Sequence, residues 1–161
     1  MDRSLRLLGA VASAVALGVL AGCGAVPADV DGTLERVRTD GELRVGVTSN
    51  VPWTDTSSAE PTGTEVDLIE EFARRHGADV AWTEGSEATL ADSLRGGVID
   101  VAIGGFTDDT PWTDKAAVTD AYAEVTASDG SVEKHVMLTR PGENRLLVEL
   151  ETYLREEGPR P

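Results

Sequence analysis

The chain has a single cysteine, Cys23, so no disulfide can form within it and an oxidising compartment adds no covalent staple. Aromatic residues are scarce, at 4% of 161 residues, and the core must come mainly from aliphatic packing; the three tryptophans stand out against that background. Basic residues are few, with 14 Lys and Arg against 29 Asp and Glu, giving a net charge of −15. That balance excludes nucleic-acid binding, which needs basic patches on phosphates, and adhesion to anionic lipid through a polybasic face. After Gly22 no apolar run approaches the roughly 20 residues of a membrane-spanning helix. Gly-x-Ser-x-Gly, phosphate-loop and zinc-ligand spacings are also missing, so the pattern points to recognition rather than catalysis, with no cofactor or metal expected.

What is present begins with Arg3 and Arg6, followed by a nearly uncharged stretch from Leu7 to Gly22 rich in Leu, Ala, Val and Gly. A basic start, a short apolar core and small residues before a cut describe a secretory signal peptide over residues 1–22. Its removal takes the formal charge to −16, since it carries Asp2, Arg3 and Arg6. The tetrapeptide Leu20-Ala21-Gly22-Cys23 resembles the lipobox of bacterial lipoproteins. The resemblance implies that Cys23 is lipidated on sulfur, becomes the first mature residue and anchors the protein at the outer face of the cytoplasmic membrane. An ordinary signal peptide cut near Cys23 accounts for the same residues. Positions 23–32, with Gly, Ala, Pro and Asp and no periodicity, read as a tether.

Residues 33–157 read as one globular lobe, with 158–161 as a tail. A short helix is expected near Thr33–Thr39, then an alternating strand at Glu42–Thr48. After a polar loop, Val66, Leu68, Ile69, Phe72 and Ala73 recur at helical spacing within Gly63–His76, and Gly77 stands where a C-cap glycine belongs. Ala78–Thr83 reads as a second strand, Ser86 as the cap of a helix through Arg95, and Asp100–Gly104 as a buried third strand. This alternation predicts an α/β fold with an open, mainly parallel sheet flanked by helices. Ligands of such sheets sit at the carboxyl ends of the strands, which brings the loops carrying Pro52-Trp53 and Pro111-Trp112 to one edge. Strand-like segments Ala121–Ala127 and Lys134–Arg140 flank a hairpin signal, Ser128-Asp129-Gly130-Ser131. A helix from about Glu143 to Glu156 follows, with Leu146, Leu147, Leu150, Tyr153 and Leu154 turned to the sheet.

In order, GELRVGVTSNVPWT, PTGTEVDLIEEFARRHGADVAW, LADSLRGGVIDVAIGGFT and KHVMLTRPGENRLLVELETYL resemble segments of bacterial extracellular solute-binding proteins of family 3, which serve polar amino-acid uptake. The resemblance implies one lobe of a periplasmic-binding-protein type II fold, acting as the substrate-binding component of an ABC-type transporter. Such proteins normally clamp solute between two lobes. Here the chain passes through the Asp129-Gly130 turn directly to Lys134, leaving no residues for the second. The family's loop after the third strand usually supplies an arginine for a ligand carboxylate. The matching stretch, Thr107–Lys115, has no arginine and instead carries Asp108, Asp109 and Asp114. Thr107 matches a family position whose hydroxyl and backbone touch ligand.

The candidate ligand-binding residues are therefore Trp53, Glu65, Thr107, Asp109 and Trp112. The two indoles can stack on a flat or cationic group, anchor a partner, or simply cover the sheet's end. Asp108, Asp109 and Asp114, with Glu65 and Asp67, could gather around a cation, though the spacing fits no known loop. His76 and His135 read as surface residues. The expected partners are a small polar solute or a membrane transporter subunit, with the membrane reached through Cys23. An accessory interaction lipoprotein that no longer binds solute is the alternative.

Overall fold

The computed structural model describes residues 28–127 and 129–159. The expected signal peptide and Cys23 lie outside the described residues, among which no helix is long and apolar enough to cross a membrane. The elements are α1 (Thr33–Asp40), β1 (Glu42–Val47), α2 (Thr64–Arg75), β2 (Asp79–Glu84), α3 (Glu87–Arg95), β3 (Val101–Thr107), β4 (Ala117–Val118), β5 (Ala123–Thr126), β6 (Val132–Thr139) and α4 (Asn144–Glu157).

Local chemistry sets the helix ends. At the end of α2 the Gly77 amide donates to the Arg74 carbonyl and the Ala78 amide to that of Ala73, both at 3.0 Å. This is the paired closure that a glycine after the C-cap makes possible. At the start of α3 the Ser86 hydroxyl accepts the Thr89 amide at 3.3 Å, as its N-cap position predicts.

One open sheet has the order β2-β1-β3-β6-β4, with β5 also on β6. Strand β1 pairs in parallel with β2 and β3, whereas β6 is antiparallel to β3, β4 and β5. Five of the six strands thus run one way, and only β6 returns. Alternation divides the core between the faces. Leu43, Val45, Val47, Val101, Ile103 and Met137 pack under α1, α2 and α4 with Leu34, Ile69, Phe72, Leu146 and Leu150. Ala102, Phe106, Val136 and Leu138 face α3 with Leu90 and Leu94. Each large aliphatic side chain fully buried in this way contributes about 1.5–3 kcal/mol.

Two sequence expectations change, and one element is new. The tether does not run to residue 32, because Asp29 already bridges to Glu143 and the Val30 amide donates to the Gly142 carbonyl at 3.2 Å. The strand expected at Ala121–Ala127 is only Ala123–Thr126, and the two-residue strand β4 was not anticipated. At the hairpin, the Ala127 amide donates to the Ser131 carbonyl at 2.9 Å, and the Asp129 carboxylate accepts the Ser131 amide and hydroxyl.

Candidate functional site

The carboxyl ends of β1 and β3 meet beneath the loop from Thr48 to Gly63. Asn50 fastens that loop down: its side-chain amide donates to the Gly104 carbonyl at 2.9 Å, and its backbone exchanges hydrogen bonds with Thr54. Strand β3 bulges at this point, the register against β6 shifting between Ala102 and Phe106. Gly105 sits in the bulge with φ +66°, and a Cβ there would stand 2.5 Å from the Asn50 amide nitrogen and 2.6 Å from the Trp53 ring. Only glycine lets the strand come this close to the loop.

Glu65, in the first turn of α2, holds the bulge from behind. Its Oε2 accepts the amides of Gly104 and Gly105 at 2.7 and 2.9 Å, and its Oε1 accepts the Tyr122 hydroxyl. Burial pushes the Glu65 carboxyl above its usual range, opposed by these three hydrogen bonds. Burial, followed by the neighbouring Glu65 charge, pushes the Tyr122 phenol far up. Three donors facing two oxygens is the geometry of an ionised carboxylate. Glu65 is expected from sequence at the ligand edge, but the helix start directs it under the bulge, where it is fully buried. It shapes the edge and does not face solvent.

The two indoles share the strand-end edge but lie on opposite faces of the sheet. Half-buried Trp53 packs against the cluster under α1, α2 and α4, and Trp112 against the cluster under α3. Trp112 is already engaged: its Nε1 donates to Glu87 at 3.1 Å, and Lys115 Nζ lies 5.3 Å from its ring centroid. Lys115 is in turn tied to Asp92 at 2.9 Å. A protein cation thus occupies the indole face that a solute would need.

Trp53 has different neighbours. Its ring centroid lies 3.9 Å from that of His135, with an interplanar angle of 35°, and Tyr122 meets it edge-on at 6.2 Å. His135 is buried, not on the surface as its place at a strand start implies, because it belongs to the half of β6 covered on both faces. Its cross-strand partner is Thr107, whose hydroxyl donates to Asp109 Oδ1 at 2.6 Å. A relay of contacts thus runs from Trp53 to His135, across the strands to Thr107 and on to Asp109, with Glu65 behind the bulge and Trp112 on the other face. Among the described residues no group of three His, Cys, Asp or Glu converges as a metal site, so Glu65 does not join the aspartates around a cation.

The profile of the bacterial extracellular solute-binding proteins, family 3, matches residues 43–156. The chain belongs to this family. No curated protein sequence matches it. Among solved structures, it is similar to a point mutant of the arginine-bound form of domain 1 from TmArgBP, with 28% identity and a TM-score of 0.68 over 76% of this chain and 96% of that one. The arginine-bound form of truncated ArgBP from T. maritima aligns at 18% identity and TM-score 0.65, covering 76% of this chain and 99% of that one. The ancestral amino acid-binding protein AncCDT-1, a precursor of cyclohexadienyl dehydratase, aligns at 15% identity and TM-score 0.65, covering 77% and 92%. The last two likenesses concern the fold alone. As a member of family 3, the chain has a substrate-binding role, in a family of extracellular proteins. Its Asp100 ends the family-like stretch LRGGVID and is fully buried, gripping Arg44 in a two-pronged pair and Arg36 at 2.5 Å. That network joins β1 to the start of β3 and serves the fold, not the solute edge.

Proposed function

We propose that this protein recognises a small cationic polar solute at the carboxyl edge of its sheet, with Trp53, Thr107 and Asp109 as the contacting residues. The carrying observation is a half-exposed indole over which, among the described residues, no lysine or arginine lies, linked through His135 and Thr107 to the exposed carboxylate of Asp109 in a stretch from Thr107 to Lys115 that has no arginine. An indole face and a carboxylate suit an ammonium or guanidinium group, while a solute carboxylate meets like charge. The arginine-bound relative with the same single-domain fold supports this class of ligand.

A single lobe leaves its edge open to water, where each hydrogen bond contributes only about 0.5–1.5 kcal/mol. Binding is accordingly weak and rapidly exchanging, or completed by a partner. Export, lipid attachment through Cys23 and delivery to a membrane transporter subunit of the ABC type belong to the same reading, supported by the family's extracellular solute-binding character.

Calorimetric or NMR titration with L-arginine, agmatine and L-glutamate tests it. Arginine and agmatine bind saturably, and Trp53→Ala removes that binding. A preference for glutamate overturns the cationic assignment. A flat response to all three, with co-purification of a permease, favours the accessory lipoprotein instead.

A further inference from the structure

His135 is 2% exposed, and among the described residues neither ring nitrogen has a hydrogen-bond partner of good geometry. Its ring lies against Trp53, the residue proposed to meet the solute, with centroids 3.9 Å apart. The polar groups around it are few. On β6 itself, Glu133 Oε2 is 3.8 Å from Nε2, and Lys134 pairs loosely with Glu124 of β5 at 3.9 Å. From β3 and its following turn come Thr107, Asp108 and Asp109, and from the segment entering β5 comes Tyr122, followed by Ala123 as cross-strand partner. Glu65 stands behind Trp53 and Tyr122, already bound to the bulge. Burial holds the imidazole below its ordinary range, against opposing pulls from Glu133 and the backbone of Gly105 and Phe106.

The state of this ring decides what Trp53 can do. A neutral imidazole beneath the indole is an aromatic stacking partner and leaves the ring's negative face for a cation arriving from solvent. An imidazolium in the same place uses that negative charge itself and repels a second cation through the ring. Glu133, the nearest acid, is half exposed and screened, so it offsets only part of this repulsion.

We infer that His135 is a positioning residue of the solute site, backing Trp53 while neutral and closing that site to cations when it takes a proton, so that solute is released in acid. The inference rests on the reading that a cationic solute meets Trp53.

The test is titration of L-arginine into the exported protein at about pH 7.5 and about pH 5, one value above and one below the ordinary histidine value. The affinity ratio between the two conditions is read within each variant. In the wild type and in His76→Gln, affinity falls about threefold or more on acidification. In His135→Phe the ratio lies near one, whatever the absolute affinity. An NMR titration of the wild-type imidazoles gives a second readout should that variant fail to fold. The chain has only two histidines, so His76→Gln assigns them. Saturating arginine then moves the His135 midpoint further down, whereas a midpoint indifferent to arginine overturns the inference. Arginine binding that persists in acid, or an acid loss unchanged in His135→Phe, overturns the inference alone. Absence of arginine binding at either pH overturns both it and the proposed function.

Discussion

Asp29 and Glu143 cap each other's segments. Asp29 Oδ1 accepts the Arg145 and Leu146 amides that open α4, at 2.7 and 2.9 Å, and its Oδ2 accepts the Leu34 amide of α1. Glu143 returns the contact through the Asp31 and Thr33 amides, both at 2.9 Å. The hydrogen bonds to Asp31 and Thr33 hold the buried Glu143 carboxyl below its usual range despite the opposing effect of burial. One acid thus satisfies free amides of two helices far apart in the chain, at Leu34 and at Arg145 and Leu146. Asp29→Ala is expected to lower stability by about 1–3 kcal/mol, since a lost cap costs about 0.5–2 kcal/mol and two helices share this one. Urea denaturation measures it.

The grip of Glu65 on Gly104, Gly105 and Tyr122 predicts a larger loss. In Glu65→Ala three buried donors lose their acceptor, each at about 1–3 kcal/mol before relaxation. A fall of about 2–4 kcal/mol is expected in denaturant titrations. Glu65→Gln separates charge from shape. Because burial raises the native carboxyl, its contribution is greatest in acid and declines as pH rises through the native value. The stability deficit of Glu65→Gln is therefore larger near pH 5 than near pH 7.5, a difference that follows from the proton the native acid gains.

Gly105→Ala tests the edge without removing a polar group. Positive φ and a Cβ 2.6 Å from the Trp53 ring force the indole or the bulge to move. Tryptophan emission is expected to shift, and arginine affinity to fall about tenfold or more, as displacements of about an ångström in a positioned site do. A shifted emission with unchanged affinity would show that Trp53 is not where solute binds.

The two tryptophans are distinguishable by substitution. Trp53→Ala removes the proposed cation surface and abolishes arginine binding. Trp112→Ala, on the other face with its Lys115 and Glu87 contacts, costs about 1–3 kcal/mol of stability and leaves arginine affinity within about twofold. Equal loss of affinity in both variants would return Trp112 to the site.

Both histidines are held below their ordinary value, His76 by burial and then by the Arg38 charge, and His135 by burial. The native state thus binds fewer protons than the unfolded chain below about pH 6.5, and the stability these groups confer is lost as pH falls through their native values. Melting temperatures taken between about pH 7.5 and pH 5 are expected to fall less steeply in His135→Phe than in the wild type.

Much of this fold is legible in residue spacing. The helical recurrence from Val66 to Ala73, the Ser86 cap and the glycine after α2 each act through a local rule, and their boundaries hold to within a residue or two. What escapes a linear reading is contact between distant segments. Nothing near Asp29 distinguishes a tether from a docked cap, because its partners lie 116 and 117 residues ahead. Glu65 reads as a solvent-facing acid until the bulge of β3 supplies its donors. The alternation along β6 does carry a signal for His135, which shares a face with buried Met137. The polarity of the ring and its place at the strand start conceal it.

The β5–β6 turn closes within a few residues, the Ala127 amide meeting the Ser131 carbonyl. At this point a two-lobed relative would have a hinge. A lobe without a hinge has no closing motion, so loaded and empty molecules offer nearly one outline to whatever docks with them. Occupancy must then be sensed through the solute itself, presented at an open edge, and through how briefly it stays. On the proposed reading, such a protein works less as a trap than as an open surface.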